Sequence, residues 1–293
     1  MAAPASSEFA DIYNLQRSSF DQSLYDQHCD IATLETYGQL YDQLTECNKV
    51  IIYKPIGCTP KQIAEYWRQY YGKSKVGFAG RLDPMAHGNM CLLFDDACAD
   101  TAESRDYDKR YYFEICTGLS TDTTDILGIL QTHNIQQFDR DIIDNTFERY
   151  NGLTYQQQYH IYSSYCYRKR PLWWWARENR LHEAIIPTKQ VTIEQLQQLD
   201  MQYYDNEQLR SYIMNRLDRF YHNNHDQVAQ FRYDDIVTSW RHYFDNPVRD
   251  HYMIIKCVAH VTSGTYIRQL VKDIAHECNT PMFVLDIYRY NVH

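Results

Sequence analysis

Several features are scarce or missing in this 293-residue chain, and each excludes a class of protein. No apolar run approaches the roughly 18 residues that a membrane span needs, so we expect no contact with a membrane. The first residues have neither a basic start nor an apolar segment, which argues against a secretory signal. The nine cysteines form no Cys-x-x-Cys pair and are odd in number, which argues against a zinc ribbon or a disulfide scaffold. We therefore expect a cytoplasmic protein with reduced thiols.

A surplus of positive charge is also missing. The formal net charge is −9, from 38 acidic and 29 basic residues, whereas proteins that bind nucleic acids are usually basic. Any surface for a nucleic acid must therefore be local. One candidate is YRKRPLWWWARENR, residues 167–180, which places five basic side chains around three consecutive tryptophans.

Glycine is scarce, with ten residues, yet three glycines surround a single carboxylate in VGFAGRLDPMAHGNM, residues 76–90. Gly77, Gly80 and Gly88 indicate a backbone that another group approaches closely. Asp83 stands before a proline, and such a pair on its own is most often an ordinary turn. No second acidic group or histidine stands at a metal-ligand spacing in this loop, so we predict no metal site. A lone carboxylate on a shaped loop is instead a form that a nucleophile can take.

The spacing of apolar residues predicts short helices between strands. Thr59, Pro60 and Gln62 form a helix start with a capping box, and this helix should end before Gly72. Strands are expected at residues 49–53, 110–119, 251–261 and 283–292. Further helices are expected at residues 142–152, 192–199 and 263–278, with two more between residues 200 and 250. This order indicates a mixed α/β or α+β body.

Five stretches in order carry a family pattern: IIYKPIGCTP, VGFAGRLDPMAHG, DKRYYFEICTGLSTDTTDILG, YSSYCYRKRPLWWWAR and SGTYIRQLVKDI. Together they resemble the motifs of TruB-type tRNA pseudouridine synthases, over about residues 48–198 and 250–293. The chain departs from the family pattern at three positions. The histidine of the family's catalytic loop is Phe78 here, its lysine after Tyr-Ser-Ala-x is Cys166, and its aspartate before Lys-Pro is Tyr53.

The resemblance implies an α+β fold. A mixed, mainly antiparallel sheet would be flanked by helices, with the active cleft across the sheet. The chain would consist of an N-terminal extension, residues 1–47, and a catalytic domain, residues 48–293. An insertion is expected at about residues 200–250, and the C-terminal RNA-binding PUA domain of the family is expected to be absent.

The resemblance also implies the site residues. Asp83 matches the essential carboxylate, Tyr111 the active-site tyrosine, and Arg268 an arginine whose forked guanidinium suits a carboxylate. Without the motifs, Tyr111 is typical of a strand core and Arg268 of a solvated helix. Substrate-binding positions are expected at Lys54, Phe78, Arg81, Arg170, Trp173, Arg177, Tyr266 and Ile287. We expect Trp173 to pack inward and at least one of its two tryptophan neighbours to be exposed.

The implied reaction converts a uridine of RNA to pseudouridine, and uridine 55 in the T arm of tRNA is the expected target. No cofactor and no obligatory protein partner are expected, and the protein should be a monomer. Three alternatives stay open. They are a synthase that acts on mRNA or is guided by another RNA, an RNA-binding or tRNA-chaperone protein with weak or lost catalysis, and a protein-interaction module.

Overall fold

The computed structural model describes residues 47–101, 107–131 and 139–291. The expected N-terminal extension lies outside these residues, apart from its last position. The helices of this part are α1 Pro60–Tyr70, α2 Arg140–Tyr150, α3 Leu172–Arg177, α4 Asn206–Asn224, α5 Tyr233–Asp245 and α6 Ile267–Glu277. The strands are β1 Lys49–Lys54, β2 Val76–Ala79, β3 His87–Phe94, β4 Lys109–Thr117, β5 Ser120–Thr121, β6 Leu130–Gln131, β7 Thr154–Gln158, β8 Cys166–Tyr167, β9 Arg170–Pro171, β10 Thr188–Asp205, β11 His251–Val261 and β12 Met282–Asn291. None of these helices is long and apolar enough to cross a membrane.

Eight strands form one sheet in the order β1-β3-β12-β4-β11-β10-β7, with β2 paired to β3. The β3–β12 pair is parallel, and the other pairs of this sheet are antiparallel. The prediction of an α+β fold with a mixed, mainly antiparallel sheet is confirmed. The last strand in sequence, β12, lies in the middle of the sheet and joins β3 to β4.

Helices cover both faces of the sheet. On one face α2 and α6 pack over a core that contains Phe113, Ile255 and Leu270. On the opposite face α4 and α5 pack around Phe220 and Trp240. Helix α1 covers the end of the sheet formed by β1 and β3. The predicted start of α1 is confirmed, because the side chains and backbones of its first turn form the expected capping box.

The helix predicted at residues 192–199 is wrong, because this segment belongs to strand β10. Ile193 and Leu196 have the three-residue spacing of a helix, yet both are buried in the same core cluster. Glu194 is an extra residue at a register shift between β10 and β11, and a second shift follows before Asp200. A β-bulge moves the next inward side chain one position along the chain. The first bulge therefore places Ile193 and Leu196, three positions apart, on the same face of a strand.

The two helices predicted between residues 200 and 250 are present as α4 and α5, and they form part of the core. Their attachment to the sheet is also ionic. The buried Arg216 of α4 donates a hydrogen bond of 3.0 Å to Asp286 of β12, and His87 lies 3.2 Å from the same carboxylate. Burial alone would raise the pKa of Asp286, but Arg216 and His87 outweigh burial and lower this pKa.

We predict that neighbouring aromatic residues of α4 differ in their effect on stability. Phe220 is fully buried, whereas Tyr221 is 41% exposed. Phe220→Ala should lower the free energy of unfolding by about 3–5 kcal/mol because it leaves a cavity. Tyr221→Ala should lower it by about 1 kcal/mol or less. Urea denaturation measures both values, and equal losses would contradict the assignment of α4 to the core.

Candidate active site

The loop between β2 and β3 carries Asp83, and the close approach that the sequence indicated is present at two of its three glycines, Gly80 and Gly88. Gly80 and Gly88 have φ values of +73° and +108°, which favour glycine. A Cβ atom at Gly88 would overlap the backbone of Arg289 in β12. The loop can therefore lie directly against the central strand. The Asp83 side chain keeps 33% of its surface exposed, so a substrate can reach its carboxylate.

Arg268 holds Asp83 through two parallel hydrogen bonds. Its Nε donates to one carboxylate oxygen at 2.8 Å and its second terminal nitrogen donates to the other at 2.7 Å. Arg268 is the second residue of α6 and its side chain is only 4% exposed. This two-pronged geometry fixes both the position and the plane of the carboxylate.

A second carboxylate, from Asp125, shares the same guanidinium. Asp125 lies 3.3 Å from Arg268, and the Thr123 carbonyl accepts a further hydrogen bond from Arg268 at 2.9 Å. The Thr123 hydroxyl and the Leu127 amide donate to Asp125 at 2.6 and 2.9 Å. Burial raises the pKa of Asp125 to about 6, in spite of the nearby Arg268. The Thr-Asp-Thr-x-Asp motif thus surrounds Arg268, and sequence reasoning did not assign Asp125 to the site.

Lys54 lies behind the Asp83 loop, and the prediction that it binds substrate does not fit its position. Its ammonium group is fully buried and donates to the carbonyls of Pro55, Pro84 and Ala86 at 2.9, 3.2 and 2.6 Å. Burial lowers the pKa of Lys54 to about 7. All three bonds need the protonated amine, because a neutral amine has only two N–H groups. Lys54 therefore holds the loop rather than the substrate.

Arg289 holds the other end of the same loop and was missed from the sequence. This fully buried side chain donates to the carbonyls of Gly80, Arg81 and Asn89 at 3.0, 3.4 and 2.8 Å. The available signal was a charged residue on the inward-facing side of an apolar strand. Lys54 and Arg289 together bind backbone carbonyls on both sides of Asp83, so the loop has little freedom to relax.

Tyr111 and Ile287 are buried in one core cluster with Leu82, the residue before Asp83. Tyr266 directly precedes α6 and stands two positions before Arg268. Burial and the neighbouring Tyr159 and Asp83 raise the pKa of Tyr266 to about 12. The three predicted site residues are thus linked to the Asp83 loop, Tyr111 and Ile287 through a shared core cluster and Tyr266 through its nearness to the carboxylate.

Phe78 and Arg81 belong to a different surface. Phe78 packs against the core under α1, and the Arg81 guanidinium lies 5.4 Å from the centre of its ring. Together with Lys61 and Lys75, Phe78 lines an open groove of about 500 Å³ between α1 and β2. The groove is therefore one surface at which Phe78 can meet a substrate, and its role in substrate binding stays a prediction.

The three tryptophans do not pack as predicted. Trp175 is the inward one, with 5% of its surface exposed, whereas Trp173 is 37% exposed. The reason is helical spacing, because the buried Leu172 and Trp175 are three positions apart on one face of α3. The predicted binding residues Arg170 and Arg177 lie over the rings of Trp174 and Trp173 at 5.0 and 5.2 Å.

One group within the described ranges could hold a metal ion: Asp108, Glu194 and His260. The two ring nitrogens of His260 lie 3.7 and 3.6 Å from Asp108 and Glu194. The flanking Ala259 and Val261 are in the core cluster on the side of Asp83, so His260 faces the opposite side of the sheet. This group is therefore separate from Asp83.

We predict that Asp125→Asn changes the pH dependence of stability. Between about pH 4 and pH 6 the folded protein holds a proton on Asp125 that the unfolded chain has released, so the free energy of unfolding falls as pH rises. Asparagine does not titrate, so the free energy of unfolding of the variant lacks this contribution to the fall. Its stability relative to wild type should rise by about 2 kcal/mol over this range, at about 1.4 kcal/mol per pKa unit. Urea denaturation at several pH values tests this, and a constant difference would contradict it.

The chain is similar to proteins of one family. Residues 68–213 match the model for "TruB family pseudouridylate synthase (N terminal domain)". The "tRNA pseudouridine synthase B" of Caldanaerobacter subterraneus subsp. tengcongensis is 33% identical over 147 residues, which are 50% of each chain. That of Mesoplasma florum is 23% identical over 241 residues, which are 82% of this chain and 66% of the relative.

The chain is also similar to a solved structure titled "Crystal Structure of a Cbf5-Nop10-Gar1 Complex", with a TM-score of 0.48 and 12% sequence identity. The alignment covers 88% of this chain and 50% of the chain in that structure. The chain spans about half the length of several of the curated relatives it matches. The Asp83 loop, Tyr111 and the Asp125 segment all fall within the residues that the family model matches. The chain is therefore TruB-like, and residues 68–213 are the part that matches the N-terminal domain model of that pseudouridylate synthase family.

Proposed function

We propose that this protein is a tRNA pseudouridine synthase that isomerises uridine 55 in the T arm. The observation that carries the proposal is the forked contact of Arg268 with the partly exposed Asp83. This contact lies in a loop that the resemblance assigns to catalysis. The names of the relatives support tRNA as the RNA class.

The reaction breaks the bond between ribose C1′ and uracil N1 and forms a bond between C1′ and C5. The C5 carbon loses its proton and N1 gains one, so atoms and electrons balance without a cofactor. The uridine must first leave the RNA stack, which costs a few kcal/mol. Asp83 can then attack C1′, attack C6 or remove the 2′ proton. Each route needs a carboxylate that is fixed and accessible, which the contacts of Arg268, Lys54 and Arg289 supply.

Tyr111 and Ile287 are proposed to line the pocket for the flipped base, because they share a core cluster with Leu82, the residue before Asp83. The hydroxyl of Tyr111 is the candidate group for moving a proton. Tyr111→Phe should therefore lower the rate only if that hydroxyl takes part, and it should leave the core packing in place.

Asp83→Asn should abolish pseudouridine formation while RNA binding stays within about threefold of wild type. The substitution keeps the shape of the side chain and removes its charge and nucleophilicity. Loss of one catalytic group commonly costs more than a thousandfold, or roughly 4 kcal/mol. The assay maps pseudouridine at nucleotide resolution after incubation with unmodified tRNA transcripts.

The matched control for this assay is Asp226→Asn, whose side chain is exposed and far from Asp83 in sequence. This variant should convert uridine at the wild-type rate. Conversion by Asp83→Asn near the wild-type rate would overturn the proposal. If wild-type protein binds tRNA but never converts uridine, the alternative of an RNA-binding or chaperone protein is correct. Conversion only in mRNA or with a guide RNA would support the other alternative.

RNA binding is proposed to use a local basic surface on the β8–β9 hairpin. Arg168, Lys169 and Arg170 are exposed there, on a chain whose net charge is −9. Each phosphate contact adds about 0.7–0.9 to the slope of log K against log[salt]. Changing all three residues to Ala should therefore flatten that slope, while Arg140→Ala on α2 should not. An unchanged slope in the triple variant would place the RNA surface elsewhere.

We also propose that the protein works in a reducing compartment, the cytoplasm, as a monomer without an obligatory protein partner. The eight cysteines within the described residues are free thiols, which supports this compartment. Conversion of a tRNA transcript by the purified chain alone would test the need for a partner.

A further inference from the structure

Three tyrosine rings form a row that leads away from Asp83. Tyr266 is the inner ring, beside the Asp83 carboxylate. The ring centre of Tyr159 lies 5.6 Å from that of Tyr266, and the ring centre of Tyr165 lies 4.6 Å from that of Tyr159. The outer ring, Tyr165, is 37% exposed. The row therefore connects the candidate catalytic carboxylate with the surface through aromatic rings.

The row is held in place by hydrogen bonds that do not use the ring faces. The side chain of Gln157 donates to the carbonyl of Tyr266 at 3.2 Å and accepts from its amide at 2.8 Å. The amide of Tyr159 donates to the carbonyl of Pro187 at 3.0 Å, and the carbonyl of Tyr165 accepts from Leu172 at 2.8 Å. A backbone that is fixed before binding lowers the conformational entropy that is lost when a base stacks on the ring.

The charges around Tyr165 suit a nucleic acid. The β8–β9 hairpin begins at the next residue and presents Arg168, Lys169 and Arg170 to solvent. The acidic residues of this region are engaged, because Glu178 lies 3.8 Å from Arg177 and Glu183 accepts two hydrogen bonds from Arg180. Phosphate groups that follow a stacked base would therefore meet basic side chains.

We propose that the exposed face of Tyr165 is a stacking site for an unpaired base next to the target uridine, with Tyr159 supporting the ring. This inference rests on the proposed function and adds to it a requirement on the substrate. The RNA must present an unpaired neighbour of the target, as a loop does and a duplex does not. Stacking of one base on an aromatic side chain contributes about 1–3 kcal/mol.

The experiment is a cycle of protein and RNA changes, measured as the Kd of a stem-loop RNA in the Asp83→Asn background. The protein variants are Tyr165→Leu, which removes the aromatic face, and Tyr165→Phe, which keeps it. The RNA variants carry an abasic nucleotide on either side of the target uridine. For one of these neighbours, Tyr165→Leu and the abasic change should each weaken binding about tenfold. Together they should weaken binding no further, and Tyr165→Phe should bind like the parent protein.

Two results would overturn the inference. The first is that Tyr165→Leu leaves the Kd unchanged. The second is that, for both neighbouring nucleotides, the combined change weakens binding by the product of the two single effects. Urea denaturation of Tyr165→Leu checks that the variant is folded, and if it is not, Tyr165→Gln takes its place in the cycle because it also removes the aromatic face and suits an exposed position. Failure of the proposed function is distinguishable, because it would appear as absent uridine conversion by the wild-type protein, which the Kd cycle does not measure.

Discussion

The arrangement of the site depends on one buried guanidinium. Arg268 is almost inaccessible to water, and a buried charge is stable only when it is paired and hydrogen-bonded. Asp83, Asp125 and the Thr123 carbonyl supply these partners from two separate segments. The same contacts that satisfy Arg268 also fix the Asp83 carboxylate at the surface. The stability of α6 in its place and the geometry of the candidate catalytic group are therefore linked.

The opposite side of the Asp83 loop is fixed by the same physical means. Lys54 and Arg289 are both fully buried and find their acceptors among backbone carbonyls rather than carboxylates. These carbonyl bonds fix the loop on both sides, while both oxygens of Asp83 stay bonded to Arg268. A chain with a net charge of −9 thus uses three buried basic side chains to shape one short loop.

Sequence reasoning succeeded where a signal is local. The capping box at Thr59 and the alternation in β4 depend on residues that are close in sequence, and the structure has both elements. The motif resemblance assigned Arg268 and Asp83 to one site, and the structure places them in contact, although the catalytic roles stay predictions. The predictions for Trp173 and for the β10 segment were wrong because a shift of a few positions along the chain, in the phase of α3 or at a bulge of β10, changes which side chains face the core.

The roles of Lys54 and Arg289 could not be predicted from their neighbours in sequence. Both bind backbone carbonyls, and every residue type has a backbone carbonyl. The sequence therefore does not indicate which carbonyls accept these bonds. Lys54 is 30 positions from Pro84, and Arg289 is 209 from Gly80, so only the folded sheet brings them together. Sequence reasoning also missed the role of Asp125. Its partner Arg268 lies in a different motif, and only the fold brings the two side chains together.

The central claim is that Arg268 acts through the shape of its fork and not through charge alone. Arg268→Lys keeps the positive charge and removes the two parallel hydrogen bonds. The measurement is the single-turnover rate of pseudouridine formation on a tRNA transcript, together with the Kd of the same RNA. The account predicts a rate at least about a hundredfold below wild type with a Kd within about threefold. A lysine variant that converts uridine at nearly the wild-type rate would contradict it.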